Sequence, residues 1–260
     1  MGMGGHLFEA GREGALVTGA GNGIGRAIAQ ALVAEGVPTL FADIDPARVE
    51  AAIAGSANPG LATGWVGDLA EAASWPTLLQ AAQGAVGRVT RFAHSASPPR
   101  KEKDHALAVD DETWRRMRTV NVDAGFHLAR AIANDLMTAK RGGAMLFLTS
   151  LHAETPRNLP HYSTSKAAMT MLVRELAKGL GRYGIRVNAL VPGAIAAGGF
   201  VADPALARHI PLGRLGQAED LAPMALTLLS DRTSGYVTGA SIVVDGGLSL
   251  TNWFDPPSFD

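Results

Sequence analysis

A short apolar run that leads directly into a glycine-rich turn and an amphipathic helix constrains this chain more than any other feature. The run is ALVT, residues 15–18, and GAGNGIGRAIAQALVAEG follows it. Glycines in such a turn permit tight backbone geometry, close approach of N–H groups to a phosphate and close helix packing. The strand before the turn and the helix after it favour a nucleotide site over an ordinary glycine turn. The predicted contacts are Gly19, Asn22, Gly23, Ile24 and Gly25.

Strand and helix patterns alternate along the rest of the chain. Further strands are predicted at TLFADID (39–45), GWVGD (64–68), VTRFA (89–93), MLFLT (145–149), GIRVNALVP (184–192) and SIVVD (241–245), with a helix from about Ala218 to Leu229. This alternation predicts an α/β fold with a Rossmann-type, doubly wound parallel sheet of about seven strands. We find no internal repeat or break in composition, so residues 1–260 are expected to form a single domain. A short substrate loop is predicted near 194–210 and a C-terminal tail at 248–260.

Composition excludes several classes of function. The chain has 260 residues, a net charge of −1 and no cysteine, which argues against nucleic acid or anionic membrane as partner and excludes disulfides and thiolate metal sites. No apolar run reaches about 18 residues, and the first residues lack an apolar signal core. The histidines show no metal-ligand spacing. We therefore expect a cytoplasmic protein without a metal, acting on a small molecule.

The stretch from Met145 to Arg174 contains the residues with the clearest chemical potential. Ser150 ends a predicted buried strand, and Tyr162 and Lys166 are four residues apart in the predicted helix STSKAAMTMLVREL. This spacing stacks the phenol and the ammonium on one helix face. A free tyrosine has a pKa of about 10, so a phenol that exchanges protons near neutrality needs a nearby cation. The alternative is a solvated surface pair.

Asp43, at the end of the second predicted strand, bears on the choice of nucleotide. A carboxylate there can accept both ribose hydroxyls of an adenosine and would repel a 2′-phosphate. No basic residue occurs among the next four, and Arg48 comes only after the turn. The alternative is that Asp43 caps a turn and Asp45 begins a helix. Asp68 either meets the adenine or caps the helix that follows it.

Asn121 lies inside a predicted helix that starts near Asp110 to Thr113 and continues through ANDLM. Asparagine is a poor helix former. Either it is a tolerated surface residue, or the helix deviates there and frees a carbonyl that holds a water.

Taken together, these motifs resemble the short-chain dehydrogenase/reductase family. The resemblance rests on TGAGNGIG (18–25), Asp43, Asn121, Ser150, YSTSK (162–166), PG (192–193) and YVTGASIVVDGG (236–247), and it covers nearly the whole chain. It implies that Tyr162 is the acid/base, that Lys166 binds the nicotinamide ribose and lowers the tyrosine's pKa, that Ser150 positions substrate and that Asn121 anchors a relay water. It further implies a homotetramer and cofactor contacts at Asp68, Leu69, Ser95, Ala96, Tyr162, Lys166, Pro192, Gly193 and Ile195.

Two departures from the family pattern affect the cofactor site. The chain has HSAS (94–97) where the family usually has Asn-Asn-Ala-Gly, so the hydrogen bonds of that loop must differ and Ser97 must avoid a glycine-only conformation. Ala197 stands where the family often has a threonine that holds the carboxamide, so backbone groups around Ile195 would have to suffice.

These observations predict an NAD-dependent oxidoreductase that interconverts a secondary alcohol and a carbonyl. The segment SLHAETP with PHY after it is similar to the corresponding loop of bacterial glucose 1-dehydrogenases, and its polar residues suit a sugar or polyol. Predicted substrate contacts are Ser150, His152 and Tyr162, unless most polar side chains of the loop point to solvent. The alternatives are a 3-oxoacyl or other ketone reductase and, in another class, a catalytically silent NAD-binding scaffold or sensor.

The tail contains Trp253, Phe254 and Phe259. It is more apolar than a free end normally is, so we hypothesise that it packs on the chain or on a neighbouring subunit.

Overall fold

Seven parallel strands form one sheet in the order β3-β2-β1-β4-β5-β6-β7. The computed structural model describes residues 7–9, 11, 14–101, 103–197 and 204–250. The strands are β1 (Ala15–Thr18), β2 (Thr39–Asp43), β3 (Ala62–Val66), β4 (Arg91–His94), β5 (Gly143–Leu148), β6 (Ile185–Pro192) and β7 (Ser241–Val244). The predicted doubly wound α/β fold of a single domain is confirmed. The hypothesised tail contacts and part of the predicted substrate loop lie outside the described residues.

Helices cover both faces of this sheet. They are α1 (Gly23–Ala34), α2 (Pro46–Ala54), α3 (Ser74–Val86), α4 (Asp111–Arg118), α5 (Gly125–Thr138), α6 (Pro160–Leu180), α7 (Ala218–Leu229) and α8 (Asp231–Ser234). Alternate strand residues enter opposite apolar layers: Leu146 packs with α1 and α7, whereas Met145 and Phe147 pack with α3, α5 and α6. This two-sided burial explains why β1, β2 and β5 are largely apolar runs.

The chain between α4 and α5 forms a single π-helical segment, Thr119–Ala124. The predicted helix start is confirmed, since Asp110 accepts a hydrogen bond from the backbone N–H of Thr113 at 2.7 Å. The helix deviation at Asn121 is also confirmed, and Asn121 is fully buried rather than on the surface. A π-helical turn shifts the register of the backbone hydrogen bonds and is frequent at functional sites.

Several strand boundaries differ from the predicted ones, and the third and fourth strands show the physical reasons. The third strand ends at Val66 rather than at Asp68, because the chain turns where the backbone N–H of Ala70 bonds the Asp68 carboxylate at 2.9 Å. The fourth strand runs from Arg91 to His94 instead of Val89 to Ala93, since it pairs in register with β1, whose last residue lies opposite His94. His94 therefore belongs to the sheet.

Within the described part of the chain, no helix is both long and apolar enough to cross a membrane. The same residues contain no cluster of three or more histidine, aspartate or glutamate side chains that could hold a metal ion.

Candidate active site

The sheet order reverses between β1 and β4, which are neighbours in the sheet. In open α/β sheets, ligands bind in the crevice that such a reversal leaves beyond the carboxyl ends of the strands. The glycine turn follows β1, the HSAS loop follows β4, and Ser150 follows β5. The topology therefore brings these three sequence-predicted regions to one edge of the sheet.

The glycine turn packs too closely for side chains. Gly19 has a φ of +68°, and a Cβ atom there would lie 2.8 Å from the Cα of Ala96. A Cβ at Gly25 would lie only 2.1 Å from the carbonyl oxygen of Gly19. The Asn22 side chain caps α1 by accepting a hydrogen bond from the N–H of Gly23 at 2.7 Å. A helix start with small residues around it fits a pyrophosphate, because N–H groups and the helix dipole attract anions.

The Asp43 carboxylate lies beside this turn. One oxygen accepts from the N–H of Gly21 at 2.9 Å, and the other accepts from the N–H groups of Ile44 and Asp45 at 2.8 and 3.2 Å. Asp43 therefore does cap a turn, as the alternative held, and the Asp45 side chain caps the start of α2. Despite these hydrogen bonds, Asp43 remains half-buried at the end of β2, beside the crevice.

Arg48 lies closer to the turn than its place in the sequence suggests. A Cβ atom on Gly21 would lie 2.9 Å from both the Cβ of Arg48 and the Cγ of Asp43. The Arg48 side chain is largely exposed, and its Nε pairs with Asp45 at 3.1 Å. A cation and a carboxylate thus flank Gly21.

Asp68 and Leu69 occupy a turn before α3, which begins only at Ser74. The Asp68 carboxylate forms an ion pair with Arg116 at 2.8 Å. The Leu69 side chain is buried, and its carbonyl accepts a hydrogen bond from the Trp75 indole at 3.0 Å. Asp68 therefore does not cap the helix that follows it, and the capping alternative is wrong. Asp68 ties the β3 turn to α4 instead.

His94 replaces the asparagine of the family pattern and makes a complete set of hydrogen bonds. Its Nδ1 is 2.9 Å from the hydroxyl of Thr18, and its Nε2 is 3.0 and 3.2 Å from the carbonyls of Val120 and Asn121. Carbonyls only accept, so Nε2 carries the proton and Nδ1 accepts from Thr18. Burial lowers the pKa of His94 to about 4, and the charge of Lys166 acts in the same direction. His94 is therefore a neutral structural link.

The same threonine holds the rest of the HSAS loop. Its hydroxyl oxygen accepts from the N–H groups of Ser95 and Ala96 at 3.2 and 3.3 Å. Ser97 is not among the non-glycine residues with positive φ, which in the described part of the chain are Lys140 and Asn158. Ser97 therefore avoids the glycine-only region, as predicted.

Tyr162 and Lys166 lie on the buried face of the first turns of α6. The Lys166 ammonium is 5.6 Å from the centre of the Tyr162 ring and donates to the carbonyl of Leu148 at 2.8 Å. Burial lowers the pKa of Lys166 to about 7, with a further contribution from the charge of Arg100. Ser150 is buried at the end of β5, where its hydroxyl accepts from the N–H of His152 at 3.2 Å. The surface-pair alternative for Tyr162 and Lys166 is therefore wrong.

Asn121 connects the π-helical segment to α6. Its side-chain amide donates to the Ser165 hydroxyl at 2.8 Å, and that hydroxyl donates to the Tyr162 carbonyl at 2.7 Å. The Asn121 side-chain oxygen is buried without a hydrogen-bond partner among the described residues. The backbone carbonyl, which one hypothesis assigned to a water, accepts from His94 and keeps a second lone pair.

The end of β6 closes the far side of the crevice. The N–H of Gly193 bonds the carbonyl of Val244 at 3.1 Å, and a Cβ on Gly193 would lie 2.6 Å from the Cα of Asp245. Pro192 is the last residue of the strand, and Ile195 forms a bridge with Gly216. Ala197 packs against α1 and α7.

Residues of the loop before α6 differ in exposure. His152 is half-buried, and the centre of its ring is 6.3 Å from the centre of the Tyr162 ring, whereas Glu154 and Asn158 are exposed. His161 is buried, with Nε2 3.9 Å from an Asp104 oxygen. Sequence reasoning missed Arg100, whose guanidinium carbon lies 4.6 Å from the centre of the Tyr162 ring. No local motif marks that arginine, so only the course of the loop reveals it.

A family model described as enoyl-(acyl carrier protein) reductase matches residues 19–249 of this chain. The match includes the glycine turn, the π-helical segment and α6. The chain belongs to the short-chain dehydrogenase/reductase family.

Named relatives of this dehydrogenase act on different alcohols. It is 33% identical over 250 residues to a rat (3R)-3-hydroxyacyl-CoA dehydrogenase, covering 91% of this chain and 96% of that protein. It is 36% identical over 246 residues to a galactitol 2-dehydrogenase of Cereibacter sphaeroides, covering 91% and 94%. Glucose 1-dehydrogenase 2 of Bacillus subtilis is 32% identical over 246 residues, with 91% and 94% covered. The chain is therefore an oxidoreductase that interconverts a secondary alcohol and a carbonyl.

Solved structures of the family share this fold and include a nicotinamide cofactor. A 3-ketoacyl-(acyl-carrier-protein) reductase of Brucella melitensis, complexed with NADH, has a TM-score of 0.85 at 28% identity, covering 92% of this chain and 98% of that one. A protein of Beutenbergia cavernae described as an NAD(P)-dependent gluconate 5-dehydrogenase, with bound NADP, has a TM-score of 0.84 at 30% identity, covering 95% and 100%.

Proposed function

We propose that Tyr162 is the acid/base of this oxidoreductase, assisted by Lys166, Ser150 and Asn121. The observation that supports this best is the burial of Tyr162 and Lys166 together at the carboxyl end of β5, beside Ser150. In oxidation, the Tyr162 phenolate removes the proton from the substrate hydroxyl. The Ser150 hydroxyl orients the same oxygen by a hydrogen bond.

Lys166 stabilises the negative charge on the phenol oxygen. Its ammonium has left water, so its field acts with less screening than that of a surface lysine. Burial lowers the pKa of Lys166 to about 7, and a neighbouring phenolate opposes this shift because its negative charge favours the ammonium form. The Asn121 amide, through Ser165, holds the backbone of Tyr162 and thereby keeps the phenol in register with Lys166.

We propose NAD as the cofactor, which when bound accepts or supplies a hydride at the nicotinamide. The residues that would hold it are those of the glycine turn and Asp43 at the adenosine end, Ser95 and Ala96 in the middle, and Pro192, Gly193 and Ile195 near the nicotinamide. The small residues around Gly19 and Gly193 fit this assignment, since a Cβ at either position would clash with backbone. Asp68 and Leu69 are proposed to border the adenine.

The preference for NAD over NADP is argued from charge. The Asp43 carboxylate lies beside Gly21 at the start of the nucleotide crevice, where it would accept from the ribose hydroxyls and repel a 2′-phosphate. Arg48 also borders Gly21, but its guanidinium is engaged by Asp45 at 3.1 Å. This pairing leaves the carboxylate of Asp43 as the dominant charge facing the ribose.

A sugar or polyol is the proposed substrate class, with Ser150, His152 and Tyr162 as its contacts. The polyol and sugar dehydrogenases among the relatives support it, as does the half-buried His152 beside Tyr162. A 3-oxoacyl or other ketone reductase is the second candidate, favoured by the hydroxyacyl-CoA dehydrogenase relatives. A silent scaffold is disfavoured, because the four proposed catalytic residues are all present and buried.

A substrate panel with both cofactors tests these proposals. Polyols, sugars, sugar acids and 3-oxoacyl thioesters are supplied with NAD or NADP, and the near-ultraviolet absorbance of the reduced nicotinamide is followed. We expect turnover of a polyhydroxylated compound with NAD. Turnover of oxoacyl thioesters alone would favour the second candidate, and binding of cofactor without any turnover would favour a scaffold.

From its composition and family we also propose a cytoplasmic homotetramer made of a single domain per chain, with a substrate loop near 194–210 and a tail at 248–260. Light scattering of the eluted protein tests the assembly, and cell fractionation tests the location.

A further inference from the structure

A second cation lies against the proposed acid/base. The Arg100 guanidinium carbon is 4.6 Å from the centre of the Tyr162 ring, closer than the Lys166 ammonium at 5.6 Å. Arg100 is half-buried, unlike its exposed neighbour Lys101. The loop after β4 therefore places one cationic side chain against the ring of the proposed acid/base.

Contacts on both sides of Arg100 fix the course of this loop. The Ser97 hydroxyl contacts the Met117 sulfur at 3.8 Å, and the backbone N–H of Lys101 bonds the Asp104 carboxylate at 3.3 Å. That carboxylate also lies 3.9 Å from the buried His161 ring at the start of α6. The loop therefore contacts the first turn of α6, which also carries Tyr162. These contacts hold Arg100 beside the Tyr162 ring.

The charge of Arg100 is poorly suited to a neutral substrate. A guanidinium forms shorter and stronger hydrogen bonds to an anionic oxygen than to a neutral hydroxyl. Its planar fork matches the two oxygens of a carboxylate. The charge also acts on the site already, because it contributes to the lowered pKa of Lys166. An anion bound to Arg100 would offset that effect.

We propose that Arg100 is a specificity-determining residue that binds a carboxylate of the substrate, so that the enzyme acts on sugar acids or other hydroxy acids in preference to neutral polyols. This proposal rests on the proposed function, whose substrate class it narrows. The rival explanation is that Arg100 acts only on the charge of the Tyr162 phenolate.

Kinetics on a matched pair of substrates distinguish these explanations. A six-carbon aldonate and the corresponding neutral alditol are compared in wild type, Arg100→Gln, Arg100→Lys and the control Lys101→Gln, which removes the same charge from an exposed position next to Arg100. For Arg100→Gln we expect KM for the aldonate to rise about 10- to 100-fold, as for loss of a hydrogen bond to a charged group. KM for the alditol should change less than about twofold, and any change in kcat should be of the same size on both substrates, because the charge of Arg100 also acts on Lys166. Arg100→Lys should fall in between, since it keeps the charge without the fork.

Several outcomes would overturn the proposal. A wild type that prefers the alditol would do so, as would a fall in kcat on both substrates in Arg100→Gln with KM for the aldonate unchanged, which is the signature of an effect on the phenolate alone. An effect of the same size in Lys101→Gln would show that only net charge matters.

A binding measurement keeps the proposal testable without turnover. The aldonate is titrated calorimetrically into the complex of enzyme and NADH. We expect binding in wild type and at least a tenfold loss in Arg100→Gln, and binding unaffected by the substitution would refute the role of Arg100. If neither compound is turned over but the aldonate still binds through Arg100, the proposed oxidation fails and the anion site stands.

Discussion

Replacing Asp43 by asparagine should largely remove the proposed preference for NAD. One carboxylate oxygen accepts from two backbone N–H groups of the β2 turn and the other from the N–H of Gly21. Asparagine keeps an acceptor for the turn and places an amide toward Gly21. The substitution therefore removes the negative charge with the loss of one hydrogen bond, which costs about 1 kcal/mol of stability.

The expected magnitude follows from Coulomb's law. Two unit charges about 5 Å apart repel by ~0.8 kcal/mol in water and by ~3 kcal/mol at an effective dielectric constant of about 20. Asp43 is half-buried at an open crevice, and a phosphate carries more than one charge, so a value near 2.7 kcal/mol is reasonable. This corresponds to a wild-type preference for NAD of about 100-fold in kcat/KM. In Asp43→Asn the ratio should fall to about 10 or below.

Steady-state kinetics with both cofactors on one substrate provide the assay. Glu50→Gln is the control, because it removes a negative charge from the exposed side of α2 without touching the turn. Arg48→Gln in the Asp43→Asn background should lower kcat/KM for NADP, since Arg48 is the cation next to Gly21. Equal efficiencies of the wild type with NAD and NADP, or an unchanged ratio in Asp43→Asn, would show that Asp43 does not face the ribose.

Three further predictions concern catalysis, acid stability and the tail. Tyr162→Phe should bind NAD like wild type, by fluorescence titration, and lose about 10²- to 10⁴-fold in kcat; a near-wild-type kcat would contradict the acid/base role. Because the pKa of His94 is lowered in the folded protein, the unfolded protein binds more protons between pH 6.5 and about 4. The free energy of unfolding therefore decreases as the pH falls through that window, by up to about 3 kcal/mol. His94→Asn should therefore lose less stability than wild type between pH 8 and 5 in urea titrations, by roughly 1 to 3 kcal/mol, and equal losses would be evidence against it. Deleting the residues after Leu250 should lower the melting temperature, change the assembly or raise KM, and a truncated protein unchanged in all three would rule out a packing role for the tail.

The sheet was predictable because each strand is a local apolar run between turn signals. The ends of the strands were less predictable, because they depend on pairing with a neighbouring strand that is distant in sequence. Two strands also contain buried arginines, Arg91 and Arg186, which interrupt the apolar pattern. Both pair with Asp231 at the start of α8, at 3.0 and 2.8 Å. A charge buried in this way is compensated by a partner that no local reading identifies.

In the candidate site, too, the residues marked by a local pattern were predictable and those placed by contacts distant in sequence were not. Tyr162, Lys166 and the glycine turn were found because their chemistry depends on spacing within one helix or one turn. The π-helical segment was anticipated from one poor helix former, Asn121. Arg100 was not predicted, because its proposed role depends on where a loop of mixed charge passes α6. The course of that loop is set by contacts between residues far apart in the sequence, such as the one between Asp104 and His161.

The altered HSAS loop was the main reason to consider a silent scaffold, and its geometry now argues the other way. A histidine in place of asparagine is larger, and the fold provides room: a Cβ on Gly125 would lie 2.8 Å from the His94 ring. The ring spans from Thr18 to the two carbonyls that the π-helical segment exposes, so one side chain joins the glycine turn, β4 and the Asn121 backbone. Because a carbonyl oxygen has two lone pairs, the Asn121 carbonyl can accept from His94 and still bind a water. The departure therefore changes which side chain supports the site while leaving the groups needed for proton transfer in place.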